Sequence, residues 1–101
     1  MASTPQYIKT FYGKPIVQIE AGAYFSLAIT KEGQLYGWGE AKMGQLGLGK
    51  QREIRTPMRI PVIDEESKHE HSVVSCSAGF GHTACITATG DLFTWGFNIY
   101  G

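Results

Sequence analysis

Residues 16–44 of this chain lie over residues 73–101 without a gap, and this 57-residue period constrains the fold more than any other feature. Ten of the 29 paired positions are identical: Val17/Val74, Ala21/Ala78, Gly22/Gly79, Ile29/Ile86, Thr30/Thr87, Gly33/Gly90, Leu35/Leu92, Trp38/Trp95, Gly39/Gly96 and Gly44/Gly101. Ile16/Val73, Tyr36/Phe93 and Ser26/Thr83 exchange like for like. Shared glycines and both tryptophans in one register indicate one structural unit written twice. Periods of this size belong to solenoids, propellers and arrays, whose units bury their faces against each other.

Each copy reads as three strands and a connection. Ile16-Val17-Gln18-Ile19-Glu20-Ala21 alternates, which predicts a half-buried strand with Val17, Ile19 and Ala21 on the covered face. Val74, Cys76 and Ala78 take those places in the second copy. Phe25–Thr30 alternates again after a Gly-containing turn. Lys31-Glu32-Gly33-Gln34, matched by Ala88-Thr89-Gly90-Asp91, supplies a turn whose Gly needs φ > 0. Leu35-Tyr36-Gly37-Trp38-Gly39 is a third, aromatic strand, its glycines leaving room for another backbone to approach beside the indole. A fourth strand is expected at Met58–Ile63, with Pro61 marking it as an edge. No segment sustains a helical period with caps. Four short antiparallel strands in such a repeat describe a propeller blade.

The second copy reads Ala78-Gly79-Phe80-Gly81-His82-Thr83-Ala84-Cys85-Ile86-Thr87, then Gly90-Asp91-Leu92-Phe93-Thr94-Trp95-Gly96-Phe97-Asn98, then Gly101. The first reads Ala21-Gly22, Leu27-Ala28-Ile29-Thr30, Gly33, Leu35-Tyr36, Trp38-Gly39, then Gly44-Gln45-Leu46-Gly47-Leu48-Gly49. Together they resemble the regulator of chromosome condensation repeat family, whose members are typically seven-bladed β-propellers. Arg55-Thr56-Pro57 is similar to the Thr-Pro that leads into a blade's last strand there. Two departures stand out: Phe25 takes the place of the family's histidine, kept at His82, and Ala41 that of its asparagine, kept at Asn98. The resemblance implies an all-β fold of four-stranded antiparallel blades. It divides the chain into an N-terminal extension (1–15), a first repeat with its connection (16–72) and a second repeat cut short (73–101). Two copies stand where about seven blades would need on the order of 400 residues, so a fragment of a longer propeller is expected. Because about three repeats are normally needed to cover one another's faces, such a fragment is expected to self-associate or be marginally stable.

Several motifs invite a chemical reading that their setting weakens. Gly44–Lys50 has the glycine spacing of a phosphate-binding loop, but Gln51 stands where a magnesium-binding Ser or Thr belongs, and Pro57 ends any helix. Gly79-Phe80-Gly81-His82-Thr83-Ala84 fits a dinucleotide fingerprint in letters, yet it runs into a strand rather than a helix. His69 and His71 are two ligands in a polar run, too few for a metal site. His82 at a strand start reads as satisfying backbone groups between blades. Cys76 and Cys85 align with Ile19 and Ala28, ordinary strand positions, and read as buried free thiols, with a redox pair as the alternative. Trp38 and Trp95 read as packing rings. Phe97, Ile99 and Tyr100 read as covering a blade end. No nucleophile with a base and an orienting group is visible, so no catalytic residue, cofactor or metal is assigned and the chain is not read as an enzyme.

Charge points instead to contact. Lys50, Arg52, Arg55 and Arg59 precede Asp64, Glu65, Glu66 and Glu70 in the connection. That polarised stretch is either a solvated loop or a partner-contact loop built on Arg52, Arg55 and Arg59. Nine basic and nine acidic residues cancel, so nothing points to nucleic acid or an anionic membrane. No apolar run reaches the ~18 residues of a membrane span, and no secretory signal is visible. Two cysteines suit a reducing compartment, so an intracellular place, cytoplasmic or nuclear, is expected. The leading expectation is a protein–protein interaction scaffold. The resemblance adds two alternatives: a guanine-nucleotide exchange factor for a Ran-like small GTPase, and a regulatory propeller of a larger enzyme such as a ubiquitin ligase. The family's light-sensing branch depends on tryptophan clusters, and this chain has two tryptophans.

Overall fold

The computed structural model describes residues 8–40, 53–64 and 66–96. A short 3-10 turn, Lys9–Phe11, precedes seven strands. These are β1 (Ile16–Ala21), β2 (Phe25–Thr30), β3 (Leu35–Glu40), β4 (Glu53–Ile60), β5 (Val73–Ala78), β6 (His82–Thr87) and β7 (Leu92–Gly96). They form two antiparallel sheets in chain order, β1-β2-β3-β4 and β5-β6-β7.

The repeat in sequence is a repeat in hydrogen bonding. Both copies carry a bulge at the same valine: register shifts between Ile16 and Gln18 and between Val73 and Ser75 leave Val17 and Val74 unpaired. In the β2–β3 turn Thr30 N donates to Gln34 O and Gly33 N to Thr30 O. In the β6–β7 turn Thr87 N donates to Asp91 O and Gly90 N to Thr87 O. The threonine hydroxyls accept from Gln34 N and Asp91 N, closing both turns from the side chain. Gly33 and Gly90 have φ of +87° and +88°, the left-handed backbone their positions call for. At Gly39, φ +112°, an added Cβ would lie 2.6 Å from Tyr24 O, so close backbone approach demands glycine beside Trp38.

The core lies between the sheets. Phe25, Leu27, Ile29 and Leu35, with Ile54, Ile60 and Val62, meet Val73, Cys76 and Cys85, with Phe93 and Trp95 packed against the same cluster. Burying each large aliphatic chain contributes about 1.5–3 kcal/mol. Polar bonds also cross the boundary: Gln18 Nε2 donates to Cys76 O at 3.0 Å, and Val73 N to Gly33 O at 2.8 Å. The turns also touch, since a Cβ on Gly22 would meet Gly79 O at 2.6 Å.

Two expectations need correcting. Val17, Ile19 and Ala21 are the exposed residues of β1, and Ile16, Gln18 and Glu20 are the partly covered ones. The second sheet lies on the other side of these strands, where Gln18 and Glu20 stand opposite the core residues Ile29 and Leu27. In β5 the same positions part ways: Cys76 is buried under the first sheet, Ala78 is half-buried and Val74 is exposed. The fourth strand is Glu53–Ile60, not Met58–Ile63. Its ladder is set by β3, with Leu35 opposite Ile60, Gly37 opposite Met58 and Gly39 opposite Ile54. Only Trp38 separates the last two partners on β3, so Arg55-Thr56-Pro57 bulge out together. A proline without an N–H is tolerated there, on an edge strand at a bulge.

Candidate interaction surface

The basic residues singled out from the sequence are carried by a strand rather than by a free loop. Arg55 and Arg59 lie exposed on β4, the outer edge of the first sheet, while Arg52 and Lys50 lie outside the described residues. Arg59 Nη2 donates to Glu70 Oε2, an ion pair between half-exposed side chains that ties β4 to the connection leading to β5. Sequence spacing put these two residues in opposite charge clusters. What brought them together is the return of the connection on itself, with Ile63 opposite Glu70 and His71 N bonded to Val62 O.

That connection is ordered by local bonds. Asp64 caps it: Oδ1 accepts from Glu66 N at 3.0 Å, and Oδ2 from Ser67 Oγ at 3.2 Å. Lys68 takes φ +63° and donates its N–H to Asp64 O. Ile63 and Glu70 form an isolated antiparallel bridge, and His71 N donates to Val62 O. The His71 ring tilts over Phe93 at 5.6 Å, joining the connection to the second sheet. The acidic part of the polarised stretch is thus a folded turn fixed beside a basic edge strand.

The other residues singled out resolve as follows. Gly79–Gly81 leads into strand β6, so no helix N-terminus faces that glycine turn. The Gly44–Gln51 stretch and Phe97, Asn98, Ile99 and Tyr100 lie outside the described residues. His69 and His71 sit in the connection. Among the described residues no group of three or more His, Cys, Asp or Glu is placed to hold a metal ion, and no helix is long and apolar enough to cross a membrane. His82 starts β6 on its outer face. Its ring is exposed and lies over Gly79, whose added Cβ would be 2.5 Å from the imidazole. Phe25, the residue at its place in the first copy, is buried between the sheets instead.

Cys76 and Cys85 are buried free thiols, directly opposite each other across β5 and β6. Burial pushes the Cys76 thiol up to about 11, with the charges of Glu20 and Cys85 adding to it, and burial alone pushes Cys85 up to about 11. Both are therefore protonated at neutral pH and poor nucleophiles. One feature had no sequence signal: Tyr24 and Phe80, on the β1–β2 and β5–β6 turns, stand edge to face at 6.1 Å and are both exposed. The turns they ride on meet only in the tertiary structure.

Two like antiparallel sheets stacked face on face, each built in chain order, define a pair of β-propeller blades. A family model of the regulator of chromosome condensation (RCC1) repeat matches residues 32–86, and a second model of that repeat matches residues 16–45 and 73–101. The chain belongs to the RCC1 repeat family. It is similar to the human E3 ubiquitin-protein ligase HERC2, 42% identical over 85 residues that are 84% of this chain and 2% of that protein. It is likewise similar to the ultraviolet-B receptor UVR8 of Arabidopsis thaliana, 38% identical over 98 residues, 97% of this chain and 21% of the receptor. Among solved structures, human WBSCR16 superimposes with a TM-score of 0.72 at 23% identity, covering 86% of this chain and 21% of that one. Yeast RCC1 (Prp20), in its complex with Kap60, gives 0.70 at 23% identity, covering 94% and 21%. The chain therefore spans from 2% to 21% of the length of these relatives.

Proposed function

We propose that this chain acts as a protein-interaction element of a propeller scaffold, with β4 and the connection to β5 as its contact surface. The observation that carries this reading is the pairing of an exposed basic edge strand, holding Arg55 and Arg59, with an ordered acidic turn at Asp64–Glu70. Rigid presentation lowers the ordering cost of binding, and charges on a rim steer encounter and choose partners. Relatives support protein partners in general: yeast RCC1 has been crystallised bound to Kap60, and Prp20p has been studied for binding to Gsp1p and histones. In this reading residues 16–72 and 73–101 are successive blades and residues 1–15 precede them, with Arg52 a further candidate contact residue by its place in the sequence.

A comparison of partners captured by the wild-type chain and by an Arg52→Glu/Arg55→Glu/Arg59→Glu variant tests the surface. The expected result is loss of at least one partner by about tenfold or more, with salt weakening the wild-type contact. Identical partners for both chains retire the connection as a contact. The exchange-factor alternative is tested in the same preparation by nucleotide release from a Ran-like small GTPase; release no faster than the uncatalysed rate removes it.

A further inference from the structure

We infer that Thr56 is a phosphorylation site for a proline-directed protein kinase, recognised on the folded edge strand β4 through Pro57 and Arg59. The chain holds two Thr-Pro dipeptides, Thr4-Pro5 and Thr56-Pro57, which differ three residues after the threonine. Tyr7 stands there in the first and Arg59 in the second. Threonine, proline and then a cation at the third place suit a kinase with an acidic pocket at that distance.

The fold makes the motif reachable. β4 is the outer strand of its sheet, so it offers an open edge. Gly37 pairs with Met58 and Gly39 with Ile54, so Thr56 stands in the middle of the bulge and outside the β3 ladder. Thr56 is also exposed. Pro57 pushes the threonine before it toward extended backbone, the form a kinase cleft takes. It brings no N–H, so a cleft with no acceptor at that place takes proline without the desolvation cost of other residues. A bulge on an edge strand accounts for Pro57 by itself. It does not call for an exposed hydroxyl at 56 or for a cation at 59.

Arg59 is engaged by Glu70, but their side chains are 42% and 37% exposed. Ion pairs so exposed are weak, so an acidic pocket can draw Arg59 away. In the transfer, Thr56 Oγ1 attacks the γ-phosphorus of a magnesium-bound nucleoside triphosphate. The bond to the β–γ bridging oxygen breaks, the diphosphate leaves, and the hydroxyl proton passes to the kinase's catalytic carboxylate. The product places a charge of about −1.5 to −2 between Arg55 and Arg59 in the strand, nearly cancelling both. Its effect on partner capture rests on the contact reading above. Phosphate incorporation is measured with no partner present, so either reading can fail without the other.

The test incubates the folded 101-residue chain with a purified proline-directed serine/threonine kinase, magnesium and ATP, and maps phosphate by tandem mass spectrometry. Thr56 is expected to carry phosphate in wild type and in Thr4→Ala, and Thr56→Ser to be modified as well. Arg59→Gln should slow modification of Thr56 by about tenfold or more, and Arg59→Lys should restore most of the rate. Glu70→Gln, which frees Arg59, should raise the rate by about two- to fivefold. These substitutions fall on exposed positions, and circular dichroism matching wild type confirms each fold. No phosphate at Thr56 of the folded chain overturns the proposal. Phosphate on a peptide of residues 53–60 but not on the folded chain overturns it too, because the strand then hides the site. An Arg59→Gln rate equal to wild type overturns the role of Arg59, and no rise in Glu70→Gln overturns the competition with Glu70.

Discussion

Gly33 and Gly90 occupy one turn, one period apart, with nearly the same φ, yet their surroundings differ. A Cβ on Gly33 would lie 2.8 Å from Ser72 Cβ, whereas at Gly90 nothing stands within 4 Å. Gly90→Ala should therefore cost only the left-handed backbone, about 1–2 kcal/mol, and Gly33→Ala should cost measurably more. Urea unfolding of the two variants checks the order. The two thiols make a second prediction at this scale. Their folded values near 11 lie above the ordinary 9.0, so the folded state holds its protons more tightly than the unfolded chain. The stability this contributes is fully present below pH 9 and is lost as pH rises toward 11. Denaturation midpoints between pH 8 and 11 should fall accordingly. Thiol reagents at pH 8 should react slowly with native protein and quickly once it is unfolded. The need for glycine at both turns was legible in sequence, because φ is a local demand. Ser72 beside one of them was not.

At the scale of elements, strands β3 and β7 begin with the same leucine and lead different lives. Leu35→Ala removes a side chain closed in by two sheets and should cost about 2–5 kcal/mol. Leu92→Ala removes an exposed one and should change monomer stability by no more than about 0.5 kcal/mol. Equilibrium unfolding at low protein concentration separates the two. Strand identity was legible throughout the repeat, since alternation and glycine turns are short-range signals. The fourth strand was misplaced because its register is imposed by β3, and its start at Glu53 follows from pairing with Glu40 rather than from any pattern of its own. The same pairing put Arg55 and Arg59 on a strand, and the path of the connection brought Glu70 to Arg59, so the candidate surface was legible as residues but not as a shape.

At the scale of the whole molecule, the described residues form two sheets that bury one shared core between them. The sequence by itself determined the repeat, the first three strands of each copy and their turns, the propeller family and the burial of the cysteines. The tertiary structure decided which face of each strand is inside. Alternation gives a strand two faces and marks one as apolar, but burial depends on what lies opposite, and only the stacking of one sheet on the other supplies that. Hence Leu35 and Leu92, indistinguishable in sequence, end as core and as surface.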